Sequence, residues 1–112
     1  MKYSDEQRIA KIKEITNKLS DYINSSGITR DQLLEDEIIR WTLTTPLYNI
    51  GEHAYHLSEE YKKAHDDIPW AKISGLRHRS VHDYENTNWS IISDIVFDVI
   101  PEFQKQLSAS CP

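Results

Sequence analysis

Apolar side chains recur at three- and four-residue steps along almost the whole chain, a spacing that admits helices and little else. Ile9, Ile12, Ile15, Leu19, Tyr22 and Ile23 form the first such face. Ser4 followed by Gln7 opens it as a capping box, because each side chain can satisfy an otherwise orphaned backbone N–H. Ser25-Ser26-Gly27 closes it, glycine being the residue that turns left-handed without cost. Thr29 and Gln32 repeat the capping box and start a second run through Leu33, Leu34, Ile38, Ile39, Trp41 and Leu43. Pro46 removes a backbone donor and crowds the preceding turn, which predicts a kink or short break before Leu47, Ile50, Ala54, Leu57 and Tyr61 resume the spacing.

The run fades at His65-Asp66-Asp67, and Pro69 suits the first position of a third helix carrying Trp70, Ile73, Leu76 and Val81 towards Tyr84. Glu85 to Asn88 reads as a polar connector. A last amphipathic stretch runs from Trp89 to Leu107, divided by Pro101, with a frayed tail from Ser108 to Pro112. The β-branched residues never alternate as in a strand. The expected fold is therefore all-α, a bundle of four main helices forming a single domain over residues 1–112. Trp41, Trp70 and Trp89 sit at the spacing of apolar neighbours and are expected in core or interface packing. Asp31, Glu35, Asp36 and Glu37 read as a solvated face.

Composition narrows the function classes. No stretch approaches the ~20 apolar residues of a membrane span, and the N-terminus lacks the apolar run of a signal peptide, so the expected location is the cytoplasm. Cys111 is the sole cysteine, with neither a disulfide partner nor the spaced ligands of a zinc site. His53 and His56, three apart, could share a helical face, but no carboxylate or cysteine pattern accompanies them and no metal or other cofactor is expected. His65 reads as a solvated residue at a helix C-terminus. The net charge of −5 argues against a general affinity for nucleic-acid backbones. A small basic patch remains between Trp70 and His82, where Lys72, Arg77 and Arg79 occur without an acid.

Chemistry concentrates in Gly75-Leu76-Arg77-His78-Arg79-Ser80-Val81-His82-Asp83-Tyr84. Breaking an RNA chain needs a base for the 2′-hydroxyl proton, a cation for the charge growing on phosphorus, and a proton for the leaving 5′-oxygen. Histidine can accept or donate at neutral pH, and arginine offers a permanently charged planar fork to phosphate oxygens. Positions five apart lie roughly 140° apart around a helix. Arg77 and His82 therefore cannot face one phosphate from a single regular helix: either the helix loosens or a second copy of the chain completes the site. By pattern alone, the segment reads more readily as a charged helix end in which His82 pairs with a carboxylate, since histidines are common at helix ends for simple electrostatic reasons.

The segment resembles the signature of HepT-like proteins in the HEPN superfamily, an arginine, four intervening residues, a histidine, any residue and a tyrosine, matched here by Arg77, His82 and Tyr84. Ile68-Pro69-Trp70 with Ile73-Ser74-Gly75-Leu76-Arg77 resembles the lead-in to that motif, and Ile50-Gly51-Glu52 its isoleucine-glycine-glutamate step. Ile38-Ile39-Arg40 resembles the stretch before that step, and Trp89 with Asp98-Val99-Ile100-Pro101 the C-terminal helix pair. The likeness spans roughly Asp31 to Leu107.

The resemblance implies a HEPN-type bundle of four to five helices, paired as a homodimer with two motif copies across a cleft. It implies a toxin of a toxin–antitoxin pair, a metal-independent endoribonuclease that leaves a 2′,3′-cyclic phosphate and a 5′-hydroxyl. Its cognate antitoxin would be a nucleotidyltransferase able to attach AMP to the motif tyrosine. Carried over, Arg77 holds the scissile phosphate, His82 is the general acid or base, and Tyr84 lines the site and is open to modification. Glu52 becomes an acid that orients Arg77, with Gly51 permitting close helix approach. His78 departs from the family, which commonly has a small polar residue there; it can hydrogen-bond or assist proton transfer. The rival reading is a non-catalytic helical partner of a nucleotidyltransferase that binds a nucleotide, which the acidic charge and His78 favour.

Overall fold

The computed structural model describes residues 2–81 and 87–111, the side chains of residues 79–81 excepted. Among them the secondary structure is helical throughout. In chain order the elements are α1 (Asp5–Ser26), α2 (Arg30–Glu35), α3 (Glu37–Tyr55), α4 (Glu59–Ala64), α5 (Trp70–Ser74), α6 (Leu76–Val81), α7 (Trp89–Asp94), a π-helical turn (Ile95–Val99) and α8 (Ile100–Ser110). No described helix is long and apolar enough to cross a membrane.

Both capping boxes form. Ser4 Oγ accepts from Gln7 N at 3.1 Å while Ser4 N donates to Gln7 Oε1 at 2.8 Å, and Thr29 and Gln32 repeat the exchange. Gly27 ends α1 at φ 65°, the left-handed cap its position requires. Asp36, expected only as part of a solvated face, is exposed and also structural. It ends α2 in extended backbone and caps α3 by accepting from Ile38 N at 2.9 Å.

Helix α3 lies at the centre and packs against α1, α5 and α6. Its buried face is Leu43, Leu47, Ile50 and Ala54, set against Ile9, Ile12 and Leu19 of α1 and Ile73 and Leu76 of α5 and α6. Of the kink or short break expected at Pro46, the break does not occur: α3 runs through it. A proline inside a helix costs about 3 kcal/mol. Full burial of Leu43, Leu47 and Ile50 returns about 1.5–3 kcal/mol each, so tertiary packing overrides the local preference.

Other expectations shift by local geometry. The expected single helix from Trp70 to Tyr84 is divided at Gly75, and Pro69 precedes its first turn instead of occupying it. Division near Pro101 is real but takes the form of the π turn just before it. Ile100 N–H reaches back to Ile95 O, and the proline sits near the start of α8, where its missing donor is harmless. The tail is not frayed as far as Cys111. Helix α8 continues to Ser110, Ser110 Oγ donates to Asp67 Oδ2 at 3.1 Å, and Lys13 Nζ donates to the Cys111 carbonyl. The Cys111 side chain is buried beside Tyr61, whose hydroxyl is pushed above its ordinary pKa by burial and by its hydrogen bond with that thiol.

The tryptophans divide. Trp70 is buried edge-on to Phe103, its indole N–H donating to His65 O at 3.0 Å, and Trp89 is half-buried with the Arg40 guanidinium 5.7 Å from its ring centre. Trp41 is 53% exposed, which removes it from the core. His65 is half-buried against the Tyr61 ring and not fully solvated.

Two braces tie distant segments. Arg30 of α2 donates to Ser93 Oγ at 3.3 Å and Asp98 Oδ1 at 2.9 Å, and also pairs with Asp94. Asp5 accepts from Ser58 N at 2.9 Å and Ser58 Oγ at 2.7 Å, joining the starts of α1 and α4; these bonds hold its carboxyl below the usual value. His53 faces α1, its Nδ1 3.2 Å from Arg8 Nη1, and burial, then Arg8 and Lys11, keep its pKa below 6.5. A group with a depressed folded pKa stabilises the fold above its unfolded pKa and loses that contribution as pH falls through the folded value. Urea midpoints should therefore begin to drop just below pH 6.5, before the carboxylates titrate. His53→Gln should erase this first phase, a fraction of a kcal/mol at this degree of exposure, and an unchanged profile would count against the assignment.

Candidate functional site

The site begins with a glycine. A Cβ at Gly51 would lie 2.5 Å from Arg77 N and 3.1 Å from Leu76 Cβ, so α3 and α6 meet backbone to backbone at this point. Leu76 is fully buried and anchors α6; Arg77 follows it and turns to the edge of the bundle. Glu52, next to Gly51, is thereby placed beside the arginine.

Glu52 is the hub. Its Oε2 accepts from Arg77 Nε at 3.2 Å and its Oε1 lies 2.6 Å from His56 Nε2. The Tyr48 phenol, one turn earlier, hydrogen-bonds the same carboxylate and has its pKa raised as a result. Partial burial disfavours the charged carboxylate. The hydrogen bonds from Tyr48, Arg77 and His56 outweigh that and hold Glu52 below its ordinary pKa.

Arg77 is held from two further sides. Its guanidinium carbon lies 4.2 Å from the centre of the Tyr55 ring, within cation–π distance, and its Nη1 is 3.3 Å from His78 Nε2. Side chains with a quarter of their surface accessible are poorly hydrated, so this cation at the rim is fixed before anything binds. A guanidinium carries five donors in a rigid fork. With Nε committed to Glu52 and Nη1 in contact with His78, the N–H groups left over form the edge suited to an anion such as a phosphate.

Of the residues singled out in the sequence, Arg77, His78 and Glu52 therefore stand together, and His78 is exposed. His82 and Tyr84, with Asp83, lie outside the described residues. His53 and His56 take separate partners, one Arg8 and the other Glu52. No group of three or more His, Cys, Asp or Glu occurs among the described residues in an arrangement that could hold a metal. Tyr48 and Tyr55 escaped the sequence reading. Their signal was helical spacing from Glu52, four residues before it and three after, which puts all three on one face.

Comparison with known proteins gives the family. Residues 6–110 match the family model described as "Ribonuclease HepT-like". The chain is 31% identical over 81 residues to a protein named "Putative RNase" from Caldanaerobacter subterraneus subsp. tengcongensis, covering 72% of each chain. It is 28% identical over 95 residues to a protein of the same designation from Methanocaldococcus jannaschii, covering 84% of this chain and 78% of the relative. A protein named "Probable ribonuclease HepT" from Thermococcus cleftensis aligns over 93% of both chains at 22% identity. No solved structure gives a significant match. With nearly its whole length matched, the chain belongs to the HepT-like ribonuclease family.

Proposed function

We propose that this chain is the toxin of a toxin–antitoxin pair, an endoribonuclease that works in the cytoplasm and needs no metal. The observation that carries the reading is the Arg77 guanidinium, fixed by Glu52 and Tyr55 at the head of the Arg-x4-His segment in a chain of this family. In the proposed reaction the 2′-oxygen of a ribose attacks the adjacent phosphorus as its proton leaves, and the bond from phosphorus to the 5′-oxygen breaks. The departing oxygen takes a proton, leaving a 2′,3′-cyclic phosphate and a 5′-hydroxyl. Arg77 neutralises the charge gathering on the phosphorane, and His82 moves one of the two protons. His78, in contact with Arg77, is positioned to shape the same anion site. Glu52 keeps the arginine aimed without touching substrate. The partners in this reading are an RNA, a second copy of the chain, and a nucleotidyltransferase antitoxin that attaches AMP to Tyr84.

End-labelled RNA incubated in EDTA with wild type and His82→Ala at matched thermal stability tests the reading. Wild type should cut and leave a cyclic phosphate, and the variant should be slower by about 10²–10⁴-fold, the usual worth of a general acid or base. If neither protein cuts any of several cellular RNAs, and Tyr84 carries no AMP in cells, the non-catalytic partner of a nucleotidyltransferase becomes the better account.

A further inference from the structure

His56 touches both of the groups that fix Arg77. Its Nε2 lies 2.6 Å from Glu52 Oε1, while the other oxygen of that carboxylate accepts from Arg77 Nε at 3.2 Å. Its ring meets the Tyr55 ring edge-on with centroids 5.1 Å apart, and the Arg77 guanidinium carbon lies 4.2 Å from the centre of the same phenol. Helical spacing brings this about: Tyr48, Glu52 and His56 follow one another at four-residue steps along α3, the last as its C-cap. A side chain that contacts two supports of one cation acts on the cation through them.

The chemistry of the carboxylate fixes where the first proton of His56 sits. Glu52 is held below its ordinary pKa, so at neutral pH it is ionised and can only accept. At 2.6 Å the facing nitrogen must carry a hydrogen, because a lone pair there would oppose the oxygen. The neutral ring is therefore the Nε2–H tautomer, and the nitrogen left to titrate is Nδ1. A proton taken up there leaves the bond to Glu52 in place and changes only the charge. The side chain is 45% exposed, so that proton comes from solvent without any opening of the fold. With His56 neutral, Glu52 offsets Arg77; with His56 protonated, the three groups together carry one net positive charge.

The neighbouring elements bring other titratable groups to this corner. From α6, His78 lies against Arg77. From α4, Lys62 donates to the Tyr55 carbonyl at 3.5 Å and pairs with Glu59 at 3.3 Å, so the two offset each other. From α1, Arg8 and Lys11 act on His53, and Asp5 is bonded to Ser58. Of the partners that hold Glu52, namely Tyr48, Arg77 and His56, only histidine is a side chain whose charge ordinarily changes between about pH 5 and 8.

We propose that His56 is a positioning residue of the Arg77 site: its Nε2–H fixes the carboxylate that aims Arg77, and a second proton at Nδ1 releases the guanidinium's charge for an anion. The proposal rests on the reading of Arg77 as the group that holds the phosphate.

Nitrogen-15 NMR of the full chain tests the positioning without any RNA. His56 should show a protonated Nε2 and a titrating Nδ1, and the Arg77 Nε–H should be protected from exchange with solvent. In His56→Ala that protection should fall by about fivefold. His56→Gln, whose amide can donate in place of Nε2–H, should recover most of it. Affinity for a short, fully 2′-O-methylated RNA, which offers phosphodiesters but no attacking hydroxyl, tests the charge. From ~pH 8 to ~pH 6 its binding to wild type should tighten about three- to fivefold more than its binding to His56→Gln, the range of one solvent-screened ion pair. Phosphodiesters keep one charge over this interval and the other histidines are common to both proteins, so the difference belongs to His56. An Nδ1–H tautomer at His56, or a His56→Gln protein whose affinity follows pH as wild type does, overturns the proposal. If the NMR pattern appears in a protein that neither binds nor cuts RNA, the positioning of Arg77 by His56 stands and the ribonuclease reading falls. If RNA is cut while Arg77 is as protected in His56→Ala as in wild type, the ribonuclease reading stands and this one falls.

Discussion

Arg77→Ala should lower single-turnover RNA cleavage by about 10²–10³-fold, the loss typical of deleting one preorganised donor to a developing oxyanion. Stability should change far less. The Arg77–Glu52 pair is partly solvated, and Glu52 keeps Tyr48 and His56 as partners, so roughly 1 kcal/mol is the expected cost. The two effects separate cleanly, since a loss of folding would move the melting temperature before it moved the rate this far. Arg77→Lys sharpens the test. Lysine restores the charge but not the planar fork that bonds Glu52 through Nε while stacking on Tyr55. Most of the rate loss should therefore persist in the lysine variant. If alanine at this position retained activity within a few-fold of wild type, the scissile phosphate would have to lie elsewhere.

Gly51→Ala should destabilise the protein by about 2 kcal/mol, a fall of roughly 8–10 °C in melting temperature for a domain of this size. Two terms oppose each other. Alanine is the better helix former by about 1 kcal/mol. Against this, the new Cβ meets the Arg77 backbone nitrogen at 2.5 Å, and backbone cannot swing aside as a side-chain tip can. Forcing α6 from α3 belongs at the upper end of overpacking costs, about 3 kcal/mol, so the clash wins. Because the atom displaced is the amide of Arg77 itself, cleavage should fall further than the loss of folded protein explains. Thermal melts and rates at a temperature where both proteins are folded distinguish the two contributions, and a Gly51→Ala variant more stable than wild type would show that the close approach is not maintained in solution.

Helix periodicity and capping chemistry were legible in the sequence because both are local. Ser4 with Gln7 and Thr29 with Gln32 act within one turn. The spacing marks Ile9, Ile12 and Leu19 of α1 and Leu43, Leu47, Ile50 and Ala54 of α3, all buried, although it also marks Tyr22 and Ile38, which are exposed, and passes over the buried Thr16. What escaped was decided by partners distant in sequence. Pro46 looks like a breaker until Leu43, Leu47 and Ile50 are seen to be wholly buried around it. Trp41 has the spacing of a core residue yet is exposed, since the same helix carries two apolar stripes and sequence alone does not say which faces inward. The Glu52–Arg77 contact joins residues 25 apart and came only through resemblance to a family. Tyr48 and Tyr55 gain meaning only once Arg77 is known to sit over that face.

The burial of Cys111 gives the molecule a built-in reporter. Its thiol is the only one in the chain, packed against Tyr61 while Lys13 holds its carbonyl. Burial slows maleimide attack on that sulfur, so opening of the end of α8 should speed labelling, and the rate, compared with that of the unfolded chain, reports on this local opening. Followed as partners or RNA are added, the same rate tells whether binding at one side of the bundle tightens its far end.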